Sequence, residues 1–364
     1  MAYRALDPLV RRSPIIFDAD IGASTIQELR RLEHLEIGGL ILGPLVSDEV
    51  IDSLRNTVKK YEVTIDRETV KLLYPSRGIP LRDVNRVSDL VKYAKEEVGI
   101  ELVALRLSAI KYSDWMKLLQ LVPESVDFVE LDFSIPYLIS NEKHNFSRLL
   151  YEIVYDATSM SSKPVAIRLP LFMPELQELL KKLATLNVIF VSISSAYLCY
   201  KTLSINEEVV VCKAFCKDSS FNDLALSLTK PWAIQDVNIV LSIETLNEEF
   251  LLKSLSMGVK AFELGFSTFI LDIPKFLTRV KEVKSKTVVE VPEILTKGTM
   301  VLILTERCDT CNGKYLCVKV CPEGILTVGE EGLPKTLGNC TGCNLCVSLC
   351  PKSAIRLALE LKVE

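Results

Sequence analysis

Short apolar runs alternate with amphipathic stretches of helical length from Pro14 to about Val280. Because each amphipathic helix returns the chain to the end of the sheet where it started, this alternation predicts parallel strands. Eight strand candidates within roughly 250 residues favour a closed (β/α)8 barrel, an α/β fold, over an open doubly wound sheet. In chain order the candidates are PIIFDA, GGLILG, IELVALRL, DFVELDF, PVAIRLP, NVIFVSIS, NIVLSI and AFELGF. Two further β-rich pieces, YEVTI and EEVVVCKAF, are predicted as insertions after strands two and six.

Eight of the eleven cysteines lie between Cys308 and Cys350, in the runs CDTCNGKYLCVKVCP and CTGCNLCVSLCP. The second run has the spacing C-x2-C-x2-C-x3-C-P, which is that of bacterial ferredoxins. In that pattern three thiolates of a run bind one 4Fe–4S cluster and the fourth binds the other cluster. The spacing therefore predicts two 4Fe–4S clusters with interleaved ligands.

The ferredoxin pattern assigns four cysteines to each cluster. The first set is Cys308, Cys311, Cys317 and Cys350, and the second set is Cys340, Cys343, Cys346 and Cys321. Five residues instead of two separate Cys311 from Cys317, which leaves the nuclearity of the first cluster open. A zinc ribbon or a disulfide framework is the alternative, although neither requires this interleaved, proline-terminated spacing. The remaining thiols, Cys199, Cys212 and Cys216, are interpreted as small buried hydrophobes.

The length of 364 residues exceeds what one hydrophobic core usually organises. We expect a (β/α)8 TIM barrel over residues 1–290 and a small α+β ferredoxin-like domain over residues 291–364. No apolar run reaches the ~18 residues of a membrane span, and MAYRALDPLVRR lacks the apolar core of a secretory signal. These features predict a cytoplasmic protein. A net charge of −4 with dispersed Lys and Arg gives little reason to expect a nucleic-acid partner.

The larger domain resembles the flavin-binding barrel of dihydroorotate dehydrogenases and of the pyrimidine-reducing domain of dihydropyrimidine dehydrogenase. The resemblance covers most of residues 13–285 and rests on RSPIIFDADIGAS, VDFVELDFSIP, KPVAIRLP and GVKAFELGFSTFIL. In dihydropyrimidine dehydrogenases such a barrel is also joined to a C-terminal two-cluster ferredoxin segment. The resemblance implies FMN at the C-terminal ends of the barrel strands, a small-molecule substrate, and a redox partner protein or second subunit.

The resemblance also implies roles for individual residues. Arg168 takes the place of a flavin-contacting lysine, and Ser194 with Ser195 takes that of an Asn-Thr pair after strand six. Gly258 and Gly265 correspond to glycines of the strand-eight repeat that the family uses around the flavin phosphate. The candidates for a catalytic base, Ser140 and Ser147, lie with His144 on the loop after strand four.

Other positions depart from the family pattern. Asp132 and Tyr137 replace the two substrate-binding asparagines after strand four, and Leu241-Ser242-Ile243 replaces the phosphate-binding Gly-Gly-Ile. Two hypotheses follow. The chain is either an FMN-dependent oxidoreductase acting on CH–CH groups, or a non-enzymatic iron–sulfur subunit whose barrel is a docking scaffold. In the second case Asp132, Arg168 and Glu263 are expected to pair with one another inside the barrel mouth.

Overall fold

The computed structural model describes most of the chain. The described residues are 13–18, 25–55, 57–65, 68–75, 79–80, 83–139, 146–173, 176–205, 208–218, 221–234, 237–269, 271–283, 294–321, 324–338, 346, 350–352 and 354–363.

The described part contains seventeen strands and eleven α-helices. The strands are β1 (Ile15–Phe17), β2 (Gly39–Val46), β3 (Thr57–Ile65), β4 (Glu68–Pro75), β5 (Ile79–Pro80), β6 (Leu102–Ser108), β7 (Phe128–Asp132), β8 (Val165–Pro170), β9 (Val188–Ser194), β10 (Tyr197–Ile205), β11 (Glu208–Asp218), β12 (Ile239–Ser242), β13 (Ala261–Leu264), β14 (Ile294–Ile303), β15 (Leu326–Val328), β16 (Pro334–Thr336) and β17 (Ile355–Val363). The helices are α1 (Ile26–Arg30), α2 (Asp48–Arg55), α3 (Asn85–Glu96), α4 (Tyr112–Gln120), α5 (Ser134–Ile139), α6 (Phe146–Met160), α7 (Leu176–Leu183), α8 (Asn222–Ile234), α9 (Glu248–Ser256), α10 (Ile273–Val283) and α11 (Leu316–Val320).

Eight parallel strands close into a barrel. Their order is β1-β13-β12-β9-β8-β7-β6-β2, and a parallel pairing of β1 with β2 joins the two ends. All eight are the strands expected from the apolar runs, so the predicted TIM barrel is confirmed. The short β5 pairs with β2 outside this ring.

Helices cover the barrel with their apolar faces inward. In α7 the buried residues are Leu176, Leu179, Leu180 and Leu183, a spacing of three and four that forms one stripe along the helix. Lys181 and Lys182 lie in the last turn of the same helix, where positive charge is favourable. The apolar faces of the helices and the strands together form one continuous hydrophobic core.

The two β-rich insertions form one additional sheet with the strand order β10-β11-β3-β4. They join through a parallel pairing of β3 with β11, which runs from Thr57 opposite Lys213 to Glu62 opposite Asp218. The predicted strands are therefore confirmed. Their union was not predicted, because each insertion pairs with a segment far away in sequence and carries no local signal of that partner.

The C-terminal region is a small α+β unit, as expected. β14 and β17 form a long antiparallel pair, and β15 and β16 form a hairpin. The helix α11 lies between β14 and β15 in sequence. β14 runs beside α8 of the barrel domain. The predicted boundary at residues 290 and 291 falls outside the described residues and stays a prediction. Within the described part of the chain, no helix is both long and apolar enough to cross a membrane.

Candidate iron–sulfur centre and barrel mouth

The β14–β17 pair brings the two cysteine runs together. Ile303, the last residue of β14, pairs with Ile355, the first residue of β17. Cys308 lies five residues after that pair and Cys350 lies five residues before it. A hydrogen bond from Leu304 N to Ala354 O (2.7 Å) extends the ladder towards both cysteines. The start of the first run and the end of the second run therefore meet at one end of the strand pair.

Four cysteines line a single pocket at this end. They are Cys308, Cys311, Cys317 and Cys350, which is the ligand set predicted for the first cluster. Asp309, Tyr315 and Lys352 also line the pocket, with Pro334, Ala354 and Ile355 contributing apolar wall. Three cysteines of the first run and the last cysteine of the second run therefore line the same pocket in the folded chain.

The lengthened spacing between Cys311 and Cys317 is accommodated by a left-handed turn. Thr310, Cys311 and Asn312 each have φ 54, and Gly313 has φ 78. This backbone region costs roughly 1–2 kcal/mol for each residue other than glycine. Hydrogen bonds from Cys311 N to Asp309 Oδ1 (2.9 Å) and from Tyr315 N to Thr310 O (3.0 Å) stabilise the turn. The turn absorbs the extra residues and leaves both cysteines on the same pocket.

The protein environment acts on individual thiols. Burial raises the pKa of the Cys317 thiol above its ordinary value, and the neighbouring Cys308 and Cys311 act in the same direction. Iron binding would reverse this, because a coordinating thiol is deprotonated outright. Ala354 N donates a hydrogen bond to Cys350 Sγ (3.2 Å), the kind of contact that tunes ligand sulfurs in iron–sulfur proteins.

The arrangement of these thiols bears on the zinc alternative. Within the described residues, no three His, Cys, Asp or Glu side chains converge on a point that one metal ion could occupy. A tetrahedral zinc site needs such convergence, with each sulfur about 2.3 Å from the same ion. In a 4Fe–4S cluster each cysteine binds a different iron instead, so the thiols lie farther apart than in a zinc site.

The structure describes only two of the four cysteines predicted to bind the second cluster, Cys321 and Cys346. Cys346 is buried and packs in a small core with Cys317, Val301, Leu326 and Ile355, while Cys321 is half-buried beside this core. Cys340 and Cys343 lie outside the described residues. Cys199, Cys212 and Cys216 fall on β10 and β11, and their side chains also lie outside the described part.

Inside the barrel mouth lies a cluster of five ionisable side chains that are at most 1% exposed: Asp18, Arg106, Glu130, Arg168 and Glu263. Arg106 is its centre. Its Nε donates to Glu130 Oε2 (2.5 Å), its Nη1 to Asp18 Oδ1 (2.6 Å) and its Nη2 to Glu263 Oε2 (3.1 Å). We call these five side chains the charge cluster.

Arg168 belongs to this cluster. Its Nη1 lies 3.1 Å from Asp18 Oδ1 and 3.6 Å from Glu263 Oε2, and its Nη2 donates to Ser194 Oγ (3.2 Å). The structure therefore brings the predicted site residues Arg168 and Ser194 together. The pairing expected with Glu263 is present. The Asp132 carboxylate accepts from Ser134 N (2.8 Å) and from Ser134 Oγ.

Glu130 is the acid in the charge cluster whose protonation is favoured. Burial raises the pKa of Glu130 well above its ordinary value, Glu263 adds to the rise, and Arg106 opposes it. Within the described part of the chain, Glu130 Oε1 and Glu263 Oε1 are buried and receive no hydrogen bond from a fixed donor. A neutral Glu130 can donate its proton to Glu263. The cluster then holds two guanidinium groups against two carboxylates, Asp18 and Glu263.

Another buried carboxylate, outside the charge cluster, lies where the loops after β12 and β13 meet. Glu244 is fully buried, and its Oε1 accepts from Gly265 N (2.8 Å). Its Oε2 accepts from Ser267 N (2.9 Å) and from Ser267 Oγ (2.8 Å). Gly265, a predicted phosphate contact, is thus engaged by the protein itself. Gly258 has φ 98 and precedes β13, so it lies at the opposite end of that strand.

FMN does not fit the described residues of this mouth. The phosphate of a flavin needs free donors, and the backbone N–H of Gly265 is directed at Glu244. Leu241, which stands where the family has the first glycine of its Gly-Gly-Ile, is fully buried in β12. The guanidinium expected to contact the flavin is held by Asp18 and Glu263.

The candidates for a catalytic base are only partly placed. Ser147 is half-buried in the first turn of α6, whereas Ser140 and His144 lie outside the described residues.

Sequence reasoning missed Arg106, Glu130 and Glu244 as parts of the mouth. The first two carry a usable signal, because each is a charged residue inside an otherwise apolar strand, in LVALRLS and FVELD. Such a residue in a barrel strand has to find a partner inside the barrel. Glu244 has no comparable signal, since its donors come from a different loop.

Comparison with known proteins supports the C-terminal assignment. The 4Fe-4S binding domain family matches residues 335–356, which contain the second cysteine run. No curated protein matches the chain. Among solved structures, a DHODH from Eimeria tenella in complex with ferulenol is similar at 11% identity, over 74% of this chain and 80% of that chain, with a TM-score of 0.48. The chain therefore carries a 4Fe–4S binding segment after an α/β barrel, the order that the resemblance predicts.

Proposed function

We propose that this chain is an iron–sulfur electron-transfer protein with two 4Fe–4S clusters in its C-terminal domain. The observation that carries the proposal is the pocket lined by Cys308, Cys311, Cys317 and Cys350. It combines three cysteines of one run with the last cysteine of the other, as two-cluster ferredoxins do. The 4Fe–4S family match over the second run supports the same conclusion.

The chain's own residues would hold and tune these clusters. The pocket cysteines would bind the first cluster, and Cys321, Cys340, Cys343 and Cys346 the second. Clusters of this kind take up and release single electrons at potentials set by hydrogen bonds to sulfur and by exposure. Burial of Cys317 and Cys346 keeps water from part of each site, and the Ala354 N–H stabilises charge on Cys350.

In this proposal the barrel is a scaffold and the electrons come from elsewhere. Arg168 is paired with carboxylates, and Glu244 accepts hydrogen bonds from the backbone N–H groups that a flavin phosphate would need. A chain that only carries single electrons requires a donor and an acceptor. We therefore propose a redox partner protein or a second subunit as its partner, and we place the protein in the cytoplasm.

The test is anaerobic purification with iron, sulfide, zinc and flavin quantified on one sample. Two clusters predict about eight iron and eight sulfide per chain, and dithionite reduction should produce low-temperature electron paramagnetic resonance signals of 4Fe–4S clusters. Stoichiometric zinc would contradict the clusters. Stoichiometric FMN would instead support the flavin oxidoreductase hypothesis.

A cysteine pair sharpens this test. Cys350→Ser removes a ligand of the first cluster and should lower the iron content by up to half. The matched control is Cys212→Ser, which changes a cysteine on β11, outside both predicted ligand sets, and should leave iron unchanged. Equal iron loss in the two variants would refute the ligand assignment.

A further inference from the structure

We infer that the Glu244 carboxylate occupies the anion position of this barrel and thereby excludes FMN and other phosphorylated ligands from it. The inference concerns the barrel alone and does not depend on the clusters. In (β/α)8 barrels a phosphate is frequently held by the loops after strands seven and eight, through backbone N–H groups.

In this chain those two loops follow β12 and β13, and they enclose Glu244. Three donors converge on its carboxylate: Gly265 N, Ser267 N and Ser267 Oγ, at 2.8, 2.9 and 2.8 Å. The Ser267 hydroxyl also accepts from Thr245 N (2.9 Å), so its own proton is directed at Glu244. The carboxylate oxygens are thus arranged as two oxygens of a bound phosphate would be.

The loop after β12 is anchored as well. Asn222 of α8 donates its side-chain N–H to Glu244 O (3.2 Å), and Ile243 N donates to Glu263 O (3.2 Å). Glu244 itself is 0% exposed. The side chain is therefore buried between two loops rather than resting on a surface from which a ligand could displace it.

A phosphate could not share this position with the carboxylate. Two anions within hydrogen-bonding distance repel each other strongly where water is excluded. Donors that already serve one anion give nothing further to a second. Removing the carboxylate should have the opposite effect, because it leaves three buried donors without an acceptor and a space that a small tetrahedral anion can enter.

The experiment compares wild-type protein with Glu244→Ala, each purified anaerobically with its iron content verified. Melting is followed by circular dichroism in increasing inorganic phosphate, with sodium chloride at equal ionic strength as the salt control. Glu244→Ala should melt several degrees lower than wild type. Phosphate should then raise its melting temperature steadily with the logarithm of concentration, as expected for a ligand that binds only the folded state.

Leu251→Ala is the matched control. Leu251 is fully buried in α9, the helix that follows the same loop, so its truncation destabilises the barrel by an apolar cavity. This variant leaves no hydrogen-bond donor without an acceptor, so phosphate should raise its melting temperature no more than chloride does. Glu244→Ser is the second variant if Glu244→Ala does not accumulate as folded protein.

Three results would overturn the inference. The first is FMN retained by the wild-type protein at one per chain after incubation and desalting, measured by flavin fluorescence. The second is a wild-type melting temperature that rises with phosphate as much as that of the variant. The third is a folded Glu244→Ala or Glu244→Ser protein with no phosphate response above chloride. The wild-type measurements decide the question even if neither variant folds. Iron content tests the proposed clusters, so a failure of the cluster proposal can be told apart from a failure of this inference.

Discussion

At the scale of single residues, the barrel mouth shows how buried charge is compensated. Arg106 donates to Asp18, Glu130 and Glu263, and Arg168 pairs with Asp18 and Glu263, so both of these shared carboxylates contact both guanidinium groups. Removing one partner of a buried ion pair is far more destabilising than the pair is stabilising, because the remaining charge stays buried.

Arg168→Ala should lower the free energy of unfolding of the barrel by about 3–5 kcal/mol, since it leaves Asp18 and Glu263 with one cation fewer. Urea unfolding followed by fluorescence measures this. Arg86→Ala is the control: Arg86 is 56% exposed in its ion pair with Asp83, and such pairs contribute about 0–1 kcal/mol. A similar loss in both variants would show that the charge cluster does not stabilise the barrel.

Glu130→Gln should stabilise the barrel increasingly as the pH rises. The folded-state pKa of Glu130 is raised, so its contribution is fully present at low pH and is lost as the pH rises from about 4.3 through the folded pKa. Glutamine keeps the shape and the donor towards Glu263 but cannot ionise. The stability difference should therefore grow by at most about 1.4 kcal/mol per pH unit in that window.

Urea unfolding of both proteins at several pH values measures this difference. Glu263→Gln is the contrasting variant, because it removes a carboxylate that both arginines contact and should destabilise the barrel throughout. A Glu130→Gln difference that does not change with pH would contradict a neutral Glu130.

At the scale of elements, the first cluster site depends on one strand pair and one turn. The β14–β17 ladder sets which cysteines meet, and the left-handed turn from Thr310 to Gly313 sets how the lengthened loop closes. Backbone held in a sparsely populated region persists only where surrounding contacts require it. Metal binding is one such contact, so the turn and the cluster should stabilise each other.

Gly313→Ala tests this coupling. Nothing lies within 4 Å of the added methyl, so the expected cost comes from φ +78 alone, about 1–2 kcal/mol on the C-terminal domain. Gly338→Ala is the control, because its added methyl also meets nothing within 4 Å and its φ is not in the left-handed region. Iron release to a chelator over time should be faster for Gly313→Ala only. Equal rates would mean that the turn does not limit the site.

At the scale of the whole molecule, the chain combines a barrel with a large core and a small domain with little core. In the described part of the C-terminal region, Val301, Cys317, Leu326, Cys346 and Ile355 form one small buried cluster, and two of these residues are predicted ligands. At its predicted extent of residues 291–364 this unit is so short that we expect metal binding to supply much of its folding free energy. The barrel has a much larger described core of its own.

Cys346→Ser should therefore unfold the C-terminal domain selectively. We expect loss of iron, loss of the C-terminal melting transition, and a barrel transition within about a degree of wild type, since distant sites act independently. Calorimetry of the whole chain, with iron measured on the same sample, provides the data. A barrel that melted equally early would show that the two parts form one cooperative unit.

Much of this architecture could be predicted from the sequence, for identifiable reasons. Each barrel strand is a short apolar run such as FVELD or VAIRLP, and its type follows from local pattern alone. The joining of the two insertions into one sheet could not be predicted, because β3 and β11 carry no mark of each other. The same holds for Glu244 and Gly265, which meet only when two loops are brought together by β12 and β13.

The kind of chemistry could be predicted without the fold: the cysteine spacing indicates 4Fe–4S binding, which the family match over residues 335–356 supports, because ligand spacing is a property of the chain. Only the tertiary structure decided what the barrel mouth does with its charges. From the sequence, Arg168 could contact either a ligand or a carboxylate. It pairs with Asp18 and Glu263 because the barrel places these residues, which belong to other parts of the chain, beside it. A buried charge takes whichever partner the fold supplies, since the cost of leaving it unpaired exceeds any local preference.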